Sequence, residues 1–111
     1  MNKFILTTIL SLFLFNSVAQ AQGQEQETIK ATKISDEMAE VLSLDLEEKA
    51  KVFQIQLDRF TKAVAIRKDH KEDKELMRSE LKKNTNKLWG KLKGLLGEER
   101  MKAWGDYKRN Y

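Results

Sequence analysis

The stretch 45–69, DLEEKAKVFQIQLDRFTKAVAIRKD, decides the fold. Asp45 can serve as an N-cap, and Glu48, three residues on, can reach back to the cap's own N–H, which makes a D-x-x-E capping box. Leu46, Ala50, Phe53, Leu57, Phe60 and Val64 then recur at spacings of four and three, one face of a helix about five turns long. A second stripe, Val52, Ile55, Ala63 and Ile66, lies on a different side, with Ile55 nearly opposite Leu57. One apolar face suits a two-helix hairpin; two faces require two partners, here an upstream helix, a second copy, or a surface left for a client.

Downstream, Asp69-His70-Lys71-Glu72-Asp73 is wholly polar and predicts a turn between antiparallel helices. The next helix carries Met77, Leu81, Leu88, Leu92 and Leu95 on one face, widened by Trp89 and Leu96. Phe53, Leu57 and Phe60 are expected to zip against its Met77, Leu81 and Leu88. Asn84 falls inside the same stripe, where burial would let it fix register at some cost in stability. Gly90 and Gly94 each cost about 1 kcal/mol relative to Ala in a helix interior, so they mark a bend, a close contact or an approaching end. Gly97 breaks the pattern. Glu98 and Glu99 then open a last helix with acids well placed in its first turn, and Leu96 and Met101 fit a hydrophobic staple across the break. Met101, Trp104 and Tyr107 share one side of that helix, with Tyr111 nearby.

Upstream, Ile34, Met38 and Val41 predict a helix from near Ile29 to Leu42, with a later start capped by Ser35 as the alternative. Residues 22–28 are polar and without periodicity and read as a flexible segment. Residues 1–21 combine a cationic start at Lys3, an uncharged run from Phe4 to Phe15, and Ala19-Gln20-Ala21, the small-x-small pattern of signal-peptidase cleavage. The apolar run is too short for a stable membrane anchor, which takes roughly 20 residues. The expectation is export, cleavage after Ala21, and a periplasmic or, alternatively, secreted chain. The expected fold is all-α: an antiparallel hairpin of two long helices with a shorter helix at each end, forming one domain over 29–111.

Composition narrows the chemistry. The chain has no Cys and no Pro, and a formal net charge of +4. Disulfides, thiol catalysis and cysteine metal sites are thereby excluded, and long uninterrupted helices are favoured. Charge is unevenly placed: 25–73 holds 9 basic and 12 acidic residues, whereas 74–111 holds 11 and 5. Lys82, Lys83, Lys87, Lys91 and Lys93 follow one another with no acid among them. A basic half attracts anionic lipid, acidic polypeptide or nucleic acid, and export makes nucleic acid the least expected of these; a plain solvated helix face is the commoner meaning of such a run. His70 is the only histidine and lies in a charged turn. No phosphate loop, nucleophile elbow or H-E-x-x-H occurs, so neither catalysis nor a cofactor nor a metal is expected.

Two segments are alike. Leu42-Ser43-Leu44-Asp45-Leu46-Glu47-Glu48 opens one helix, and Leu95-Leu96-Gly97-Glu98-Glu99-Arg100 opens the last, with Trp104 following. Over about Val41 to Tyr111 the chain resembles the Spy/CpxP-like LTxxQ-motif family of small periplasmic helical proteins, which carry such a motif before each of two helices. Leu44, Asp45, Glu48, Leu95, Leu96 and Trp104 carry the likeness. Asp45 and Glu48 stand where the family has Thr and Gln and keep the capping logic; Gly97 and Arg100 at the second copy do not. The resemblance implies a curved helical cradle, dimeric in larger members, and ATP-independent binding of unfolded proteins or envelope-stress sensing. Some relatives bind zinc through histidines, ligands that this chain lacks.

Two functions are expected from these features. The first is chaperone-like capture of unfolded or acidic polypeptides, with the Lys82, Lys83, Lys87, Lys91 and Lys93 run attracting the client and Val52, Ile55, Ala63 and Ile66 holding it. The alternative is a non-catalytic regulatory or structural partner of one folded envelope protein such as a sensor. A homodimer is compatible with both; binding to a membrane surface ranks last.

Overall fold

The computed structural model describes residues 24–111, so the expected leader and its cleavage site lie outside the described residues. Four helices follow in order: α1 (Glu25–Leu42), α2 (Leu46–Asp69), α3 (Lys74–Leu96) and α4 (Glu98–Asn110). No strand occurs among the described residues, and the fold is all-α.

Local chemistry explains each boundary. The Asp45 carboxylate accepts from the Glu48 N–H at 2.7 Å, and Glu48 Oε1 accepts from the Asp45 N–H at 3.2 Å, completing the capping box of α2. Asp73 caps α3 by accepting from the Leu76 N–H at 3.1 Å. Gly97, at φ 92°, ends α3 and opens α4 without a side-chain cap. Leu96 and Met101 are both buried on either side of that break, as a hydrophobic staple requires. α1 begins four residues before Ile29, so 25–28 is helical and not a flexible segment. Glu25 and Glu27 in the first turn favour it, and packing reaches back as far as Ala31, which is fully buried. Ser35 lies inside this helix and bonds back to the Thr32 carbonyl at 3.1 Å, so it caps nothing.

α2 is the centre of the fold. α1 and α3 pack on it, and α4 closes against α1 and α3. The core gathers where the four helices meet, from Met38 and Leu42 of α1, Val52 of α2, Leu88, Leu92 and Leu96 of α3, and Met101 and Trp104 of α4. Burial assigns the two stripes of α2 in the reverse of the expected order. Val52 and Ala63 are buried, and Ile55 of the same stripe lies across the seam from Leu88 of α3. Phe53, Leu57 and Phe60 are only half-buried, Phe60 lies beside α1 with Lys30 over its ring, and Leu46 and Val64 are exposed. The reason is steric. A helix flanked on two sides buries most deeply the narrow strip between its neighbours, and small or slim residues suit that strip.

Two polar side chains enter the interior. Asn84 donates from Nδ2 to the Arg59 carbonyl at 3.0 Å, tying α3 to α2 at one register. Gln56 is 1% exposed; its Nε2 donates to the Met38 sulfur at 3.6 Å, while its Oε1 has no partner.

Candidate functional site: the groove between α2 and α3

A row of adjoining hollows follows the seam between α2 and α3, the first two meeting at Ile55 and the last two sharing Lys62, Asn84 and Lys87. At one end it is almost wholly apolar, with a volume of 540 Å³ over Ala50, Ile55 and Leu95, edged by the stems of Glu47, Lys51 and Gln54. Past Ile55 it becomes cationic: Lys62 stands on α2, and Lys83, Lys87 and Lys91 stand on α3, with Asn84 and Ile66 between them. Helical periodicity accounts for this, because positions 83, 87 and 91 are four apart and share a face at 3.6 residues per turn.

Acids within the groove answer part of the charge. Asp58 lies 3.4 Å from both Lys62 and Lys91, and Glu80 lies 3.4 Å from Lys83. Lys87 makes no ion pair among the described residues. Arg59 stacks 4.3 Å from the centre of the Phe60 ring; its burial, with the like charge of Arg67, holds its guanidinium below the usual value. These pairs are exposed and individually worth about 0–1 kcal/mol, so they order the lysines without neutralising the trough.

Of the stripe Val52, Ile55, Ala63 and Ile66, only Ile55 and Ile66 retain surface for a ligand, since Val52 and Ala63 belong to the interior. Of the lysine run, Lys83, Lys87 and Lys91 join the groove. Lys82 and Lys93 fall on the other side of α3, where Lys93 pairs with Glu98 across the Gly97 break at 2.8 Å. That bond and charge hold the Glu98 carboxyl below its ordinary range. Ala50, Leu95 and Lys62 complete the groove and were not among the expected client-binding residues. Their sequence signal is weak, because Ala50 and Lys62 lie about three turns apart on α2 and Leu95 lies on α3, and only the packing brings them to one seam.

The two motif-like segments also meet. Arg100, in the first turn of α4, donates from Nη1 to Glu48 Oε2 at 2.6 Å, while Glu48 Oε1 serves the cap of α2. Arg100 therefore stands where a second capping side chain would, and braces the first cap instead. Leu96 and Trp104 are buried in the core, with Leu44 and Leu95 packed against it.

Among the described residues, no group of three or more His, Cys, Asp or Glu is placed to hold a metal ion, and no helix is long and apolar enough to cross a membrane. Comparison of the chain with family models, with curated proteins and with solved structures gives no match.

Proposed function

We propose that this protein is an exported, non-catalytic binding protein of the periplasm that holds unfolded or acidic polypeptides without ATP. The observation that carries this reading is the adjacency, along one helix seam, of an apolar hollow at Ala50, Ile55 and Leu95 and a lysine-lined stretch at Lys62, Lys83, Lys87 and Lys91. Lysines draw an acidic chain in over roughly a Debye length, about 8–10 Å at physiological salt. The apolar floor then retains an exposed hydrophobic side chain. An open, shallow surface suits loose retention, and the resemblance to the Spy/CpxP-like family points the same way.

The test is suppression of the aggregation of a denatured client without nucleotide, at low and at high salt. Suppression should weaken at high salt and fall when Lys62, Lys87 and Lys91 are changed together to Gln. No suppression at low salt, at several-fold molar excess, removes the proposal. Saturable binding of one folded envelope protein, with indifference to unfolded clients, replaces it with the regulatory reading.

A further inference from the structure

A second groove, sharing no residue with the first, opens between α1 and α4 over the Phe60 ring, with a volume of 330 Å³. Its floor is Ile34 and Phe60, bounded by Trp104, which is 3% exposed. Lys30 and Lys33 of α1 and Lys108 of α4 line it. None of the three lies within ion-pair distance of a carboxylate among the described residues. Two of them lie over ring faces: the Lys30 ammonium is 6.0 Å from the centre of Phe60, and that of Lys108 is 6.0 Å from Trp104 and 5.5 Å from Trp89. The one acid of the groove is Glu37, whose charge acts on Tyr107. Burial of the Tyr107 hydroxyl, together with the Glu37 carboxylate, raises the tyrosine above its ordinary value.

The contrast with the α2–α3 groove is informative. There Lys62, Lys91 and Lys83 are answered by Asp58 and Glu80 and Lys87 alone is not, whereas here three cations share a groove with one acid and none of them is paired with a described carboxylate. Cation–π contact at an exposed site is worth about 0.5–1 kcal/mol, less than a charge-assisted hydrogen bond to an anion at about 1.5–3 kcal/mol. An anionic group entering the groove therefore improves on what the lysines have. The apolar floor requires that the same ligand carry hydrocarbon. The volume lies at the lower end of the range for small-molecule sites, roughly 300–1,000 Å³, which suits one chain and not a two-chain lipid or a packed helix.

We infer that the α1–α4 groove binds a single-chain anionic amphiphile, a medium-chain fatty carboxylate, with the chain over Ile34 and Phe60 and the carboxylate among Lys30, Lys33 and Lys108. The inference is independent of the α2–α3 groove and stands or falls without it.

Decanoate, kept below its micelle concentration, is titrated into the purified protein and followed by calorimetry and by the emission of Trp104 and Trp89. Decanol and decyltrimethylammonium serve as neutral and cationic counterparts. The expected result is saturable one-to-one binding of decanoate, with decanol weaker by about tenfold, the value of one charge-assisted contact, and no binding of the cation. The combined Lys30→Gln, Lys33→Gln and Lys108→Gln variant should lose about tenfold or more of decanoate affinity with its helical circular dichroism unchanged. The inference is overturned if decanol binds as tightly, if the triple variant binds as the parent does, or if an acidic peptide occupies the groove while decanoate does not.

Discussion

Gly90 and Gly94 test whether α3 leaves one face unused inside the protomer. Both lie within α3, which continues unbroken through them to Leu96. A Cβ built at either position meets nothing within 4 Å. Helix formation favours Ala over Gly by about 0.8–1.0 kcal/mol in a helix interior, chiefly because Gly loses more backbone freedom on folding. With no steric penalty to set against it, the Gly90→Ala, Gly94→Ala double variant should be more stable by about 2 kcal/mol. For a domain of 60–100 residues, 1 kcal/mol moves Tm by roughly 4–8 °C, so the double variant should melt roughly 8–16 °C higher. Urea unfolding of the protein and of both single variants measures this, with m held constant as the sign that only stability has moved. A fall in Tm for either single variant would refute the reasoning. It would mean that something meets this face in solution, and a concentration-dependent Tm would identify that something as a second copy.

The other predictions concern four separate sites. Gly97→Ala should destabilise by about 1–2 kcal/mol in urea, because φ 92° is costly for an L side chain however open the space around it. Gln56→Met should raise the unfolding free energy in urea by about 1 kcal/mol, since it keeps the shape and removes a buried carbonyl oxygen that has no partner. Lys93→Ala should return the Glu98 carboxyl to its ordinary range in an NMR titration. A carboxyl with a lowered folded pKa contributes stability that is present above its unfolded pKa and lost as pH falls through the folded one, so the variant should show a shallower loss on acidification. A double-mutant cycle on Glu48→Gln and Arg100→Met should give a coupling of about 0.5–1 kcal/mol, and additivity of the two changes would show the pair to be idle.

The helices were legible because their signals are local. Asp45 and Glu48 are three residues apart, and the polar run 69–73 ends one helix and caps the next without help from elsewhere. Asn84 fell in an apolar stripe, and its burial against the Arg59 carbonyl follows from that placement. The orientation of α2 was not legible in the same way. Its largest apolar residues form the more regular stripe, yet Phe53, Leu57 and Phe60 take the half-buried flank and Val52, Gln56 and Ala63 take the centre. Periodicity identifies an apolar face but does not rank two of them when a helix has two neighbours. The choice depends on the volume each strip leaves, which is a property of the assembled helices. The lysine run shows the same division. Spacing alone separates 83, 87 and 91 from 82 and 93, whereas the junction with Ile55 and Leu95 required the fold.

Both grooves depend on one junction. Glu48 closes the cap of α2 with one oxygen and holds Arg100 of α4 with the other, so the start of α2 and the start of α4 are fixed together. Leu96 and Met101 bury the turn between α3 and α4 into the same core. From that junction α3 sends Leu95 to the floor of the first groove, and α4 sends Trp104 and Lys108 to the second. The charges are distributed to match. Along the α2–α3 seam Asp58 and Glu80 order the lysines into a broad surface, which fits a ligand that arrives in many forms. Between α1 and α4, Lys30 and Lys108 rest on aromatic faces and, like Lys33, pair with no carboxylate among the described residues, which fits a ligand that brings its own. A domain this small has little interior to give to a ligand, and on the proposed reading a seam with one helix on each side offers a binding surface without opening the core.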